Sequence, residues 1–189
     1  MPLPVVYHPH YSAPLPSTHR FPMAKFQLLH QLLLEQGVVQ ADEVHRPLSI
    51  ARRDLESVHT RTYHEAFSRD RLTRPEQRRI GLPATRPLVQ RTWLAVGGTL
   101  LTARLALKRG LASHLAGGTH HAHPCFGSGF CIFNDCAVAA RVLLGTGEVR
   151  RVLIVDLDVH QGDGSAACFQ HDPRAVSYTH LTLPTSPKV

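Results

Sequence analysis

Val152-Leu153-Ile154-Val155-Asp156-Leu157-Asp158-Val159-His160-Gln161-Gly162-Asp163-Gly164 is the stretch that decides how this chain folds. Val152 to Val155 are apolar at every position, which predicts a strand over Arg151–Leu157 buried on both faces, as parallel strands covered by helices are. Where that run ends, polar residues fall at every second position. Alternate side chains of extended backbone share a face, so Asp158 and His160 are expected to point the same way at the carboxyl end of the strand. Open α/β sheets place their ligands there. Carboxylate oxygen and imidazole nitrogen both bind zinc, and a catalytic zinc takes three protein ligands and a water. An Asp-x-Asp at a strand end serves a magnesium site or a helix cap equally well, so the stretch alone leaves the chemistry open.

Working back toward the N-terminus, Asn134 to Leu144 reads as a helix with Asn134 or Asp135 as its N-cap. It is entered from Gly127-Ser128-Gly129-Phe130-Cys131-Ile132-Phe133, a loop whose glycines let backbone approach a ligand. Gly129 followed by Phe130 suits a narrow apolar channel, although a single Phe is as readily a core residue. Upstream again, Gly117-Gly118-Thr119-His120-His121 places two adjacent histidines after a glycine pair. Imidazoles titrate near neutrality and can divide general-base and general-acid work on one water, while the alternative is a surface loop with incidental histidines. Asp156 and Asp163, beside the ligand-bearing stretch, are candidates to accept the second ring N–H of each histidine and fix its tautomer.

The remaining chain supplies scaffold. Val5-Val6-Tyr7 is β-prone. Met23–Gln36 reads as a helix stopped by Gly37, with Met23, Phe26, Leu29 and Leu33 at helical spacing. Leu88–Arg109 reads as a longer helix stopped by Gly110, and Gly97-Gly98 in its middle implies close packing against a neighbour. Arg69–Arg86 is rich in Arg and Pro and is expected to be loop with short helical pieces.

With 189 residues, 43% hydrophobic, the chain fits one globular domain. Its start lacks a secretory signal pattern, it has no apolar run of bilayer length, and four cysteines in ordinary contexts do not suggest a disulfide framework. A cytoplasmic setting and no membrane partner are the expectations. Lys+Arg 21 against Asp+Glu 14 gives a formal net charge of +7. The arginines between Arg52 and Arg91 are scattered without interleaved aromatics, so a solvated basic face is expected rather than a nucleic-acid site. A chain separated from an acidic second half would be equally basic. The sequence sets no oligomeric state.

Gly-Gly-x-His-His, then Gly-Phe-Cys-x-x-Asn-Asp, then Asp-x-Asp-x-His-x-Gly-Asp-Gly, in this order and spacing, resembles the histone deacetylase superfamily up to about Val176. Tyr7-His8-Pro9, His19-Arg20-Phe21-Pro22-Met23 and Gln161 look most like its class IV and bacterial members. The resemblance implies an α/β, arginase/deacetylase-type three-layer fold with a mainly parallel central sheet, here the N-terminal part of one catalytic domain. It implies zinc, or iron, on Asp158 and His160, His120 and His121 as the catalytic pair, and Asp156 and Asp163 as their carboxylates. Gly129 and Phe130 would wall the channel, and Arg20 would serve an internal cavity that takes up acetate. A potassium ion would sit near Asp156 and the carbonyls of Asp158 and His160. The implied partner is an acetylated protein or a small acetylated amine.

A third ligand Asp and an oxyanion-binding Tyr are implied in a later segment; Tyr178 is not expected to replace the latter. The chain by itself is therefore expected to be an inactive fragment. Residues 177–189 depart from the family pattern and are expected to be a non-native tail. An arginase-like ureohydrolase would carry Asp-x-His-x-Asp at the strand end, whereas here the order is Asp-x-Asp-x-His. The other rival is a non-catalytic acyl-lysine or nucleic-acid binding module.

Overall fold

The computed structural model describes residues 3–179. Along the chain β1 (Val5–Val6), α1 (Lys25–Glu35), β2 (Val44–His45), α2 (Arg52–Leu55), α3 (Arg61–Ser68), α4 (Arg74–Ile80) and α5 (Arg86–Arg109) come first. They are followed by β3 (Ser113–His114), α6 (Asp135–Gly145), β4 (Val152–Asp156), α7 (Asp163–Phe169) and β5 (Ala175–Thr179). The strands form two parallel sheets, one ordered β2-β1-β3 and the other β4-β5. This is an α/β fold with parallel pairing throughout its named strands. Among the described residues no helix is long and apolar enough to cross a membrane. All four cysteines are free.

The centre of the molecule is α5, which packs along α6 and against β1 and β3. Pro87 starts it where a missing N–H is harmless. Leu88, Leu94, Ala95, Val96 and Leu100 bury its inner stripe against Tyr11, Phe67 and Phe133. Gly97 explains itself here: a methyl at that position would overlap the Leu48 carbonyl oxygen, a backbone atom held by the Ile50 N–H to Trp93 C=O bond of 3.1 Å. Gly97→Ala is therefore expected to lower stability by ~1–3 kcal/mol, the range for overpacking a filled interior. An unchanged denaturant midpoint would show that this crossing is looser than described.

Two expectations from the sequence are corrected and a third is narrowed. First, among the described residues β4 is covered on one face only. Val152 and Ile154 pack with Ala137, Ala140, Cys168 and Phe169 of the flanking helices, whereas Leu153 and Val155 are 66% and 55% exposed. Helices α6 and α7 cover one face of the β4-β5 pair, and among the described residues nothing covers the other. Second, extended backbone stops at Asp156, so Asp158 and His160 are not brought together by strand alternation. The Asp156 carboxylate accepts from the Asp158 N–H at 3.0 Å and the Asp158 carboxylate from the His160 N–H at 2.8 Å. Two successive side-chain turns, a habit of Asp, replace the strand. Third, Asn134 alone is the N-cap of α6, accepting from the Ala137 N–H at 3.0 Å, and Asp135 does something else.

Within Arg69–Arg86, α4 is a capped helix. Thr73 and Glu76 form a reciprocal capping box, a pattern readable in Thr73-Arg74-Pro75-Glu76. Ser177 to Thr179, in the segment expected to be a foreign tail, continue β5 beside Ile154 to Asp156. The rest of that segment, 180–189, lies outside the described residues.

Candidate active site

The loop that carries the two histidines is clamped from below. Asp135, almost fully buried at the start of α6, accepts from the Gly118 N–H at 3.0 Å, the Thr119 N–H at 2.7 Å and the Thr119 hydroxyl at 2.5 Å. Its fourth donor is the Thr99 hydroxyl on α5. Because Thr99 donates to Asp135, its oxygen accepts from His114 Nδ1–H at 3.0 Å, which leaves His114 Nε2 to accept from the Tyr11 hydroxyl at 2.8 Å. Burial pulls the His114 pKa down to about 4, so this imidazole is neutral at physiological pH and the relay has one consistent tautomer. The two backbone N–H groups and the Thr99 hydroxyl engage both oxygens of the buried carboxylate, and the Thr119 hydroxyl lies 2.5 Å from it and from the Phe133 carbonyl, which is how a buried charge avoids a large desolvation cost.

Above the clamp, His120 Nδ1 and Asp156 Oδ2 are 2.6 Å apart, and His121 Nδ1 and Asp163 Oδ1 are 2.7 Å apart. The two rings lie beside each other, with centroids 4.1 Å apart. A carboxylate on Nδ1 holds the proton there and leaves Nε2 as the basic nitrogen of each ring. The Asp163 carboxyl lies below its ordinary range: burial would raise it, but the hydrogen bonds from His121 and His123 outweigh that.

Asp158 and His160 stand beside the pair. His160 Nδ1 is 2.9 Å from Asp158 Oδ1, and His120 Nε2 is 3.9 Å from the same oxygen. The backbone N–H and ring of His160 both lower the Asp158 pKa, keeping it a carboxylate. Oxygen and nitrogen donors so close suit a divalent cation, but the described residues contain no group of three or more His, Cys, Asp or Glu placed to hold one.

A cavity of about 420 Å³ opens onto these groups, lined by His120, His121, Asp158, His160, Gly129 and Phe130, with Phe26 and Arg91 in the same wall. A larger hollow of about 570 Å³ near Pro16, Arg74 and Pro83 has no histidine–carboxylate pair or nucleophile and is not the site. Gly129 and Phe130 both adopt left-handed backbone, φ +53° and +64°. For Phe130 that conformation is strained. It is held by the Gly129 N–H to Arg79 C=O bond of 3.1 Å and the Phe130 N–H to Ile80 C=O bond of 2.8 Å. A side chain at Gly129 would meet His121 Cδ2 at 2.8 Å, so the glycine is what lets this loop lie against the His121 ring.

Arg20 is exposed, its guanidinium 4.9 Å over the Phe130 ring. The arginine that lines the cavity is Arg91 of α5, 5% exposed, with Nε donating to the Tyr11 carbonyl at 3.0 Å. Burial lowers its pKa to about 10, so it remains a cation at neutral pH. The sequence carried a signal for it: a charged residue on the same helical stripe as Leu88 and Ala95. His123 was also missed. Its Nε2 lies 3.2 Å from Asp163 Oδ2, opposite His121.

This arrangement of parallel strands and flanking helices is the fold of solved histone deacetylase homologues. The structure of one from Aquifex aeolicus superimposes with a TM-score of 0.82, covering 95% of this chain and 50% of that one at 21% identity. A histone deacetylase domain is matched over residues 19–182, and the chain belongs to that family. It is 56% identical to an uncharacterized protein of Picosynechococcus sp. across 95% of this chain and 60% of that protein. It is 31% identical to the acetoin utilization protein AcuC of Staphylococcus aureus across 85% of this chain and 44% of that protein. The chain thus spans about half the length of the curated relatives it matches.

Proposed function

We propose that this chain contributes the proton-transfer groups, the channel wall and two metal ligands to a zinc-dependent deacetylase that hydrolyses the acetyl amide of acetyl-lysine or of an acetylated polyamine. The observation that carries this reading is the pair of carboxylate-backed imidazoles, His120–Asp156 and His121–Asp163, lining one cavity with Asp158 and His160. Membership of the histone deacetylase family supports it. Asp158 and His160 would hold the zinc, with a third ligand from outside the described residues, so activity is assigned to the full-length protein rather than to these residues alone. When bound, zinc acts as a Lewis acid toward the acetyl carbonyl and lowers the pKa of the attacking water. A potassium ion near Asp156 belongs to the same proposal, as does a cytoplasmic setting, which four free cysteines suit.

The chain's own residues then divide the work. Asp163 and Asp156 hold the Nδ1 protons of His121 and His120, so each Nε2 is free to accept a proton from water and return it to the leaving amine. Gly129 and Phe130 flank the path of the methylenes, which an acylated lysine presents once its charge is lost. The buried Arg91 cation offers the acetate product a counter-charge in the same wall.

The test is an assay of the full-length enzyme, this chain continued to the length of its 56%-identical relative, on an acetyl-lysine peptide and an acetylated polyamine. Hydrolysis lost on exhaustive chelation and restored by zinc is expected. Turnover indifferent to chelation, or no turnover of any acetyl amide, would sink the proposal.

A further inference from the structure

We propose that His123 is a positioning residue for the reaction, donating from Nε2–H to Asp163 Oδ2 and thereby holding the carboxylate that orients His121. The inference rests on the deacetylase reading above and concerns a side chain to which that reading gives no role.

The two dyads are built differently. The Asp156 side chain is 11% exposed and its second oxygen accepts from the Asp158 N–H. The Asp163 side chain, at the first position of α7, is 49% exposed, and water competes there for any carboxylate contact. The Gly164 N–H gives such an acid one backbone hydrogen bond, and its alignment is fixed further when both oxygens are engaged. They are: Oδ1 faces His121 Nδ1 at 2.7 Å, and Oδ2 faces His123 Nε2 at 3.2 Å. Because His123 bonds through Nε2 to a carboxylate, the proton sits on that nitrogen.

His123 is itself fixed. Its ring stacks on Phe126, centroids 4.3 Å apart and planes 16° from parallel. Its N–H donates to the Phe126 carbonyl at 2.9 Å, closing a short antiparallel bridge. Arg79 sits 4.6 Å from the centre of the same Phe126 ring. The result is a run of contacts from α4 through Phe126 and His123 to Asp163 and the catalytic ring, with one imidazole on each oxygen of a single carboxylate. Outer partners of this kind typically change activity roughly 10–100-fold when removed.

The experiment is steady-state kinetics of the full-length enzyme with His123→Phe, which keeps a ring against Phe126 but has no donor, and with His123→Gln, which restores a donor. His123→Phe is expected to lower kcat about 10-fold with KM and metal content unchanged, and His123→Gln is expected to recover most of it. In an Asp163→Ala background, His123→Phe is expected to have no further effect, because the group it acts through is gone. An equal loss in that background, a loss confined to KM, or no loss at all would overturn the proposal.

A second readout does not depend on turnover. The His121 Nδ1–H proton resonance is expected to be sharp and downfield in the native protein and broadened by exchange in His123→Phe. That signal separates failure of this proposal from failure of the deacetylase reading: an unchanged resonance in the variant overturns the role of His123 whatever the substrate proves to be.

Discussion

Replacing His121 by Ala in the full-length enzyme is expected to lower kcat by roughly 10²–10⁴-fold, the span of a positioned general acid–base, while the zinc content stays intact. The expectation follows from geometry. His121 lines the cavity, its Nδ1 is committed to Asp163 at 2.7 Å, and its Nε2 is the nitrogen left to exchange protons. His120 has the same construction with Asp156, and His120→Ala is expected to cost a comparable or smaller factor. Metal analysis beside the kinetics decides between roles. If either variant lost its zinc, the imidazoles would be ligands and the ureohydrolase reading would gain.

The second large effect belongs to the donors beside them. Asp158→Ala and His160→Ala should each abolish tight metal binding and, with it, detectable turnover. Asp158 is kept ionised by the His160 N–H and ring, and its Oδ1 lies 2.9 Å from His160 Nδ1, so the two present a compact oxygen–nitrogen pair. A catalytic zinc rests on three protein ligands, and removal of one leaves too few to hold it. Dialysed variants that retained stoichiometric zinc would refute the assignment of both residues.

Much of this site was legible because its residues are close in sequence. His120 and His121 are neighbours, Asp156 to Asp163 span one turn-rich stretch, and the Gly-Phe pair sits just ahead of a capped helix. Pairings such as His120 with Asp156 were open to inference because each imidazole needs a carboxylate and few lay nearby. What the sequence did not show depends on contacts between distant segments. Asp135 read as a cap, yet its carboxylate clamps Gly118 and Thr119 because Thr99 and Thr119 crowd it from two other elements. Arg91 and Arg20 are both arginines near aromatics, and only packing shows that Arg91 is buried in the cavity wall. An apolar run such as Val152 to Val155 signals burial without saying what supplies it, and among the described residues one face of β4 is covered. The backbone at Asp156 turned early because each Asp side chain captured the N–H two residues ahead.

The pairing of β1 with β3 sets a timetable for biosynthesis. Val5 lies beside Ser113 and Val6 beside His114, so β1 leaves the ribosome with one of its two neighbours more than a hundred residues downstream. At translation speeds of roughly 5–20 residues per second, β1 waits on the order of 5–20 seconds before that edge closes. His114 also anchors the Tyr11 and Thr99 hydroxyls, so the platform under the histidine loop is finished only after this wait. Slow synthesis or a stalled ribosome would thus expose Val5 and Val6 to chaperones for longest. Early segments of this chain are where holding factors should be found by crosslinking.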